Sequence, residues 1–373
     1  MDVAPWLAVR VPAPSLVLVT AYYLGFVVAL LGHGTRRAGC VGMLLAAAIA
    51  IVTGQPAGWL RAAQGLDGLR MTVVDVGQGD ATLVQLPDRP AMLVDPGGIL
   101  FGNSNCDIAR RVLSPTLWAR GVRRLDAVAL THGNADHIGG ARAIIADFAP
   151  VQVWEGVPVA RNAALQEVLR EERESGVQVV RRRAGEELGI AWARIRVLHP
   201  PPPDWERQCV RNDDSLVLEV LYGDVAMLLV GDVGADIERS ILPRLTPARR
   251  RILKVAHHGS GTSTSRELLE QWRPQIAIIS CGRGNTFGHP TPEILQRLNS
   301  VGATIYRTDR DGQVTVEPDG QRVCIRTYRP RHTELVAPSG AAPPLAGYVP
   351  SGLLPGFLDP LPFVFHLLQR CVL

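Results

Sequence analysis

Hydrophobic positions along the 373-residue chain change their rhythm between the N-terminal region and the rest. From Ser15 to Leu31 and from Ala38 to Thr53 they form uncharged runs, the second behind Arg36-Arg37. Both predict membrane helices: the first approaches the ~18–20 residues needed to cross a bilayer, and the second is shorter and rich in Ala. A cleaved signal peptide fits less well, because Arg10 is offset by Asp2, Pro12 and Pro14 precede the first run, and a second run follows. Arg36 and Arg37 favour a cytoplasmic connecting loop, which would put both Met1 and the C-terminal part outside.

Gly54 to Leu69 reads as a linker, after which short apolar runs alternate with turn residues. Met71–Val76, Thr82–Leu86 and Ala91–Asp95 predict an antiparallel meander, broken at Gly77-Gln-Gly-Asp80 and Pro87-Asp-Arg-Pro90. Further strands are predicted at Asp126–Thr131, Val151–Trp154, Ala193–Leu198, Ser215–Tyr222, Val225–Val230, Ile252–Ala256, Ile276–Ser280, Thr304–Tyr306 and Gln313–Val316. Helices are predicted at Ala141–Phe148, Asn162–Ser175, Ala235–Leu245, Ser265–Trp272 and Pro292–Val301, the last capped by Thr291 with Pro292 at its first position. Such interleaving suggests two sheets with helices outside them. The organisation expected is 1–54 membrane-anchoring, 55–69 linker, 70–328 folded α/β domain, and 329–373 a Pro/Gly/Ala-rich tail ending in an apolar interaction segment.

Hydrophobic residues make up 47% of the chain, enough to bury a full core, which excludes a disordered tail as the whole answer. The six Cys show no C-x-x-C pairing, so neither a zinc ribbon nor a disulfide framework is predicted. Net charge is +4, carried almost wholly by Arg, since Lys254 is the only lysine. Arg clusters at 110–111, 120–124, 181–183 and 249–251 are compatible with phosphate contact, although a solvated surface is the default for such clusters.

Chemistry concentrates at predicted strand ends. Thr131-His-Gly-Asn-Ala-Asp-His-Ile-Gly-Gly140 packs two His, an Asp and an Asn behind an apolar run, a costly cluster unless something binds there. Asn212-Asp-Asp-Ser215, Gly231-Asp232, His257-His-Gly-Ser260 and Gly288-His-Pro290 occupy equivalent places. Imidazole with carboxylate suits Zn²⁺ or Mn²⁺, and the oxygen-rich share leans towards Mn²⁺. His199 and His332 stand alone and read as surface or hydrogen-bonded residues. Asp232 reads equally as a turn residue capping the next helix, and the small residues beside His257-His258 leave free N–H groups near a phosphate.

Thr131–Gly140 is similar to the H-x-[HD]-x-D-H signature of the metallo-β-lactamase superfamily. With Val74-Asp-Val-Gly-Gln-Gly-Asp80, Leu93-Val-Asp-Pro-Gly-Gly98, Asn212–Leu216, Leu229-Val-Gly-Asp232, His257-His-Gly-Ser260 and Gly288-His-Pro290, Leu66–Val316 resembles the C-terminal domain of ComEC-type DNA-uptake proteins. The resemblance implies an α/β fold, the metallo-β-lactamase αββα sandwich, with the metal centre at the sheet edges, preceded here by about two N-terminal membrane helices. It implies one or two divalent ions, Mn or Zn, on His132, Asn134, Asp136, His137, Asp232 and His257 or His258, with Asp214 or Asp213 as a further oxygen ligand. Asp136, Asp232 and His258 would carry catalysis. Asn212, Ser215, Lys254, Ser260 and His289 would meet phosphate, and Asp75, Gln78, Asp80 and Asp95 would brace the site.

The activity implied is that of a metal-dependent nuclease, in which hydroxide generated at the metal attacks phosphorus in line. Its partners would be DNA held by its backbone without sequence preference, and the membrane. It would lie at the inner or plasma membrane with the hydrolase domain extracytoplasmic. Asn134 departs from the family's usual Asp, and an amide oxygen is the poorer ligand. Only two candidate helices precede the domain where the family has a channel, so a split form with a separate multi-helix channel subunit, a truncated form or a paralogue is expected. A small-molecule hydrolase of the same fold and a catalytically silent uptake subunit are the alternatives.

Overall fold

The apolar runs become strands buried on both faces in the computed structural model, which describes residues 16–31, 35–53, 68–86, 90–98, 108–174, 176–190, 193–202, 207–319, 322–329 and 370–372. The chain first lays down β1 (Arg70–Val73), β2 (Thr82–Gln85), β3 (Ala91–Val94), β4 (Ala127–Leu130), β5 (Gln152–Glu155) and β6 (Gln178–Arg181). A second sheet follows from β7 (Glu187–Ile190), β8 (Ala193–His199), β9 (Val217–Tyr222), β10 (Val225–Leu229), β11 (Arg250–Lys254), β12 (Ile276–Ile279) and β13 (Thr304–Arg307). Then β14 (Val314–Pro318), β15 (Val323–Thr327) and β16 (Arg370–Val372) return to the first. The spatial orders are β16-β15-β14-β1-β2-β3-β4-β5-β6 and β13-β12-β11-β10-β9-β8-β7.

β1 to β3 form the predicted antiparallel meander, whereas β3 to β6 and β10 to β13 run parallel. Parallel strands need crossovers, and helices supply them on the outer faces. Between the sheets Met71, Val73, Val94 and Ala129 meet Val197, Leu218, Met227 and Ile278. Outside the first sheet, Leu113 and Leu117 together with helices Ala141–Phe148 and Ala163–Glu174 cover Leu83, Leu93 and Val128. Outside the second, helices Ala235–Ile241, Arg266–Trp272 and Pro292–Ser300 cover Leu228, Leu253 and Ala277. Four layers result, helix, sheet, sheet and helix, with the central strands of each sheet buried on both faces.

Parallel order sets where polar loops gather. The C-terminal ends of β1, β3, β4, β10, β11 and β12 and the start of antiparallel β9 all open at one edge of the sandwich. Arg249–Arg251 lies instead at the opposite edge, at the start of β11, which removes that cluster from the site edge.

The N-terminal runs form helices Leu16–Leu31 and Thr35–Thr53, which pack on one another. The expected spans are not shown: among the described residues no helix is long and apolar enough to cross a membrane. At 1.5 Å per residue the first is only about 24 Å long against a hydrocarbon core of about 30 Å. The second opens on Thr35-Arg36-Arg37 and is diluted by Gly and Ala. Cys324 on β15 is disulfide-bonded, a pairing that the scattered cysteines did not announce. Apart from β16, the tail lies outside the described residues, as does most of the linker.

Candidate metal centre

β4 ends at Leu130, and Thr131-His132 leads into a single helical turn, Ala135–Ile138, with Asn134 in extended conformation before it. That turn sits backbone against backbone on the loop after β3: a Cβ on Gly98 would lie 1.8 Å from the Ala135 carbonyl oxygen. Asp136 and His137 are thereby pressed into the sheet edge, 4% and 0% exposed. Asp232 follows β10 through Gly231, whose φ of +55° is left-handed and whose added Cβ would meet Ser215 at 2.8 Å. His257 and His258 follow β11 with φ of 48° and 53°, two successive non-glycine residues in the strained left-handed region.

One ligand atom each from Asp136, His137, Asp232 and His258 lies within 4.8 Å of all the others. Asp232 Oδ2 is 3.3 Å from His137 Nε2 and 3.9 Å from His258 Nε2, and Asp136 Oδ2 is 3.2 Å from His258 Nε2. A second group, Asp80, Asp95 and His137, is equally compact, but Lys254 already neutralises it with Nζ 2.7 Å from the Asp80 carboxylate.

Surrounding hydrogen bonds fix the orientation of the rings. His137 Nδ1 donates to Asp95 Oδ2 at 2.8 Å, and His258 Nδ1 donates to the Ser280 carbonyl at 3.0 Å. Thr131 Oγ1 spends its proton on Asp95, and Ser215 Oγ spends its own on the Asn212 carbonyl. Both hydroxyls are therefore acceptors for His132 Nδ1, at 3.1 and 3.2 Å. All three rings thus carry hydrogen on Nδ1, which leaves Nε2 as the inward-facing atom and, once it has no proton, the one a metal can take; without metal His258 Nε2 donates to Asp136 Oδ2 at 3.2 Å. His132 Nε2, His137 Nε2, Asp136 Oδ1 and Asp232 Oδ1 are buried and make no hydrogen bond. Buried polar atoms are ordinarily paired, so these unpaired nitrogen and oxygen atoms in and beside the four-residue group fit a divalent cation.

The electrostatics agree. Burial draws the His137 ring down, but Asp232 and Asp95 outweigh it and hold the ring well above 6.5. Burial also draws His258 down, against Asp232 and Asp80, which raise it overall. Burial would raise Asp232, yet His137 and His258 keep it well below the usual carboxylate range. His132 is pushed down to about 3 by burial and then by His137, so it is neutral. A cation would take the place that protons on His137 and His258 hold without it.

Other predicted residues fall around this core in different ways. His257 is outside the four-residue group: its side chain is 28% exposed, with Nε2 3.9 Å from Asp232 and 3.3 Å from the Asn212 amide nitrogen. Asn134 donates to Asn212 Oδ1 at 2.9 Å, which links the two amides across the opening. His289 packs its ring 5.7 Å from that of His257. Asp214 is not brought in, for its carboxylate pairs with Arg207 at 3.1 Å, and Asp213 instead accepts from Gly234 N at the head of helix Ala235–Ile241. Lys254 is 3% exposed and committed to Asp80, so it is not positioned to meet phosphate. Ser260 is buried, its hydroxyl 3.1 Å from that of Thr262.

Among the bracing residues, Gln78 accepts from Gly282 N at 3.0 Å. Asp75 stands near Arg329 at 4.0 Å, with burial raising its carboxyl. His199 donates to or accepts from nothing in the group and instead contacts the Ser215 carbonyl at 2.9 Å. Sequence reasoning missed the orienting roles of Thr131 and Ser280. Thr131 carried a signal, as a hydroxyl beside His132 at the strand end. The Ser280 carbonyl carried none.

A profile of the metallo-beta-lactamase superfamily matches residues 74–283, more than half of the chain. ComE operon protein 3 of Bacillus subtilis is 32% identical over 270 residues, which are 70% of this chain and 34% of that protein. Competence protein ComA of Neisseria gonorrhoeae is 29% identical over 243 residues, 65% of this chain and 31% of that one. Recombination protein 2 of Haemophilus influenzae is 31% identical over 260 residues, 70% and 30% respectively. The chain therefore spans about a third of the length of these relatives.

Proposed function

Since the chain belongs to the metallo-beta-lactamase superfamily and is related to competence proteins, we propose that it is a divalent-metal-dependent phosphodiesterase acting on DNA during uptake, at the cell membrane. The observation that carries this reading is the convergence of buried ligand atoms from Asp136, His137, Asp232 and His258, with His132 Nε2 also buried and unpaired although outside that four-residue group. Nitrogen and oxygen donors in near balance suit Mn²⁺ or Zn²⁺. When bound there, a divalent ion supplies Lewis acidity towards a phosphoryl oxygen and lowers the pKa of water.

The chain's own groups do the remainder. Asp95 and the Ser280 carbonyl hold His137 and His258 in the ligating tautomer. Asp232, between His137 and His258, places one carboxylate oxygen towards both rings. The His132 side is poorer, because the Asn134 amide is neutral and tied to Asn212, so one tightly held ion and one weaker position are expected. On the open side, Asn212, His257 and His289 offer polar atoms to a phosphodiester. Arg211, half exposed and next to Asn212 in the chain, suits backbone contact without base reading.

Membrane association fits the helical pair 16–53, which exposes Leu24, Leu30, Leu31, Leu45 and Ile49. The Cys324 disulfide accords with an oxidising, extracytoplasmic compartment. Metal analysis and cleavage of a single-stranded oligonucleotide, run on the wild type and Asp232→Ala, test the reading. Roughly one tightly bound Mn or Zn per chain and metal-dependent cleavage are expected, with cleavage lowered about 100-fold or more in Asp232→Ala. Unchanged cleavage in the variant would sink the mechanism. A wild type that binds no metal after loading would favour a catalytically silent subunit, the reading that Asn134 speaks for.

A further inference from the structure

The outer face of the first sheet carries an excess of positive charge that the metal centre does not use. Alternation along β1, β14 and β15 sends Met71, Val73, Val314, Val316 and Ile325 into the core between the sheets. It therefore turns Arg70, Thr72, Thr315, Glu317 and Arg326 outwards. Register sets Thr72, Thr315 and Arg326 side by side across the three strands. The apolar layer beneath the helices takes no side chain from β14 or β15 among the described residues, so this part of the face is polar. Arg120, the residue after helix Ser114–Ala119, reaches onto it, with Nη2 donating to Thr315 Oγ1 at 2.7 Å.

Three guanidinium groups here meet one carboxylate. Arg70 Nε donates to Glu317 Oε1 at 2.6 Å, and Arg326 Nη2 lies 3.1 Å from Glu317 Oε2. Arg120 forms no ion pair among the described residues, and its one side-chain hydrogen bond goes to a neutral hydroxyl. The group sits in a recess and not in open water, since the side chains of Arg70, Glu317 and Arg326 are 23%, 17% and 28% exposed. Burial and then the Arg70 charge draw the Arg120 guanidinium down to about 10, with Glu317 opposing and Arg326 adding to the fall. Arg326 Nε is buried and makes no hydrogen bond. An arginine cluster is ordinarily a solvated surface, but a partly dehydrated guanidinium without a counter-charge, beside an unused buried donor, is costly until an anion joins it.

We propose that Arg120 and Arg326, with Arg70 behind them, form a binding site for one phosphate group, on the outer face of the first sheet and apart from the edge where the metal ligands gather. Guanidinium forks match phosphate oxygens two at a time, and three arginines against Glu317 leave an excess of two charges for the oxyanion to meet. Glu317 keeps the role of anchor, holding Arg70 and Arg326 in place. A flat headgroup surface cannot enter such a recess, whereas free phosphate or the phosphodiester of a flexible nucleic-acid strand can. The site stands whether or not the metal centre cleaves DNA.

Thermal unfolding of the full chain in EDTA, titrated with inorganic phosphate against chloride at equal ionic strength, tests it on the wild type, Arg120→Gln, Arg326→Gln and Arg249→Gln. Phosphate stabilises proteins in general by exclusion from their surface, a rise that all four share. The site adds a saturable rise in Tm, expected in the wild type and in Arg249→Gln, which removes an equal charge at the head of β11 in the second sheet, and lost in the other two. Superimposable titrations of the wild type and Arg120→Gln overturn the proposal, as does loss of the saturable part in Arg249→Gln as well. Binding of a labelled oligonucleotide, also in EDTA, identifies the source of the phosphate. A salt slope lower by about one in Arg120→Gln assigns the site to the nucleic-acid backbone, and an unchanged slope beside the lost Tm rise assigns it to free phosphate.

Discussion

Lys254 is the chain's one lysine, and at a strand end beside two histidines it reads from sequence as a cation awaiting phosphate. In the structure it belongs to the interior: it is 3% exposed, and its ammonium is spent on Asp80 and on the Val255 carbonyl. Sequence could not say so, because β11 is covered on both faces, so alternation along the strand does not separate a core-facing lysine from a solvent-facing one. The adjacent histidines posed the same difficulty at single-residue resolution. Which of the two joins Asp136, His137 and Asp232 depends on consecutive left-handed backbone angles that no spacing reveals, and it is His258. For Lys254 the consequence is measurable. Lys254→Met leaves the Asp80 carboxylate buried and uncompensated, which should destabilise the chain by ~3–5 kcal/mol, and Lys254→Met with Asp80→Asn should recover a large part of it. Denaturant unfolding of the single and double variants decides. A double variant no more stable than Lys254→Met would remove the ion pair as the cause.

At the scale of elements, strands buried on both faces were the most legible, because uninterrupted apolar runs such as Ala127–Leu130 and Val225–Leu229 admit few other readings. Elements read less well towards the sheet margins. β6 is Gln-Val-Val-Arg, half solvated, β7 is a short outer strand opening on Glu187, and β15 mixes Cys and Arg with its apolar residues, so none stands out from its neighbours by composition. The helical stretch Ala109–Ala119 was hidden by Pro115, which follows the wide π-helical turn Ala109–Leu113. The N-terminal runs were legible as apolar helices, and among the described residues none is long and apolar enough to cross a membrane. What they retain is an exposed apolar surface. If it meets lipid, the full chain should float with liposomes in a density gradient, and Leu24→Glu with Ile49→Glu should leave most of the protein at the bottom, as each charge costs ~2–3 kcal/mol within lipid. Equal flotation of the two proteins would assign the membrane contact elsewhere.

Across the whole molecule, the metal centre is also where folding and protonation are coupled. The site draws on seven strand ends and both sheets, so its charges are brought together only when the sandwich closes. Without metal, His137 and His258 have folded pKa values above the unfolded value of 6.5. Their contribution to stability is complete below pH 6.5 and is lost as pH rises through the folded values. His132, His199 and His289 are shifted the other way, by burial first, so their contribution is present above 6.5 and lost as pH falls. Asp232, Asp136 and Asp80 are depressed, and their share disappears only on acidification below the ordinary carboxylate range. The metal-free protein should therefore be most stable close to pH 6.5 and lose Tm on either side. A divalent ion replaces the protons on His137 and His258, so its stabilisation must grow as those protons become easier to remove. Thermal unfolding with EDTA and with Mn²⁺ or Zn²⁺ should show the gap in Tm widening from about pH 6 to about pH 8.5, with the loaded optimum displaced to the alkaline side. A constant gap, or a metal-free Tm that climbs steadily through this range, would mean that the ion does not displace protons from these two rings.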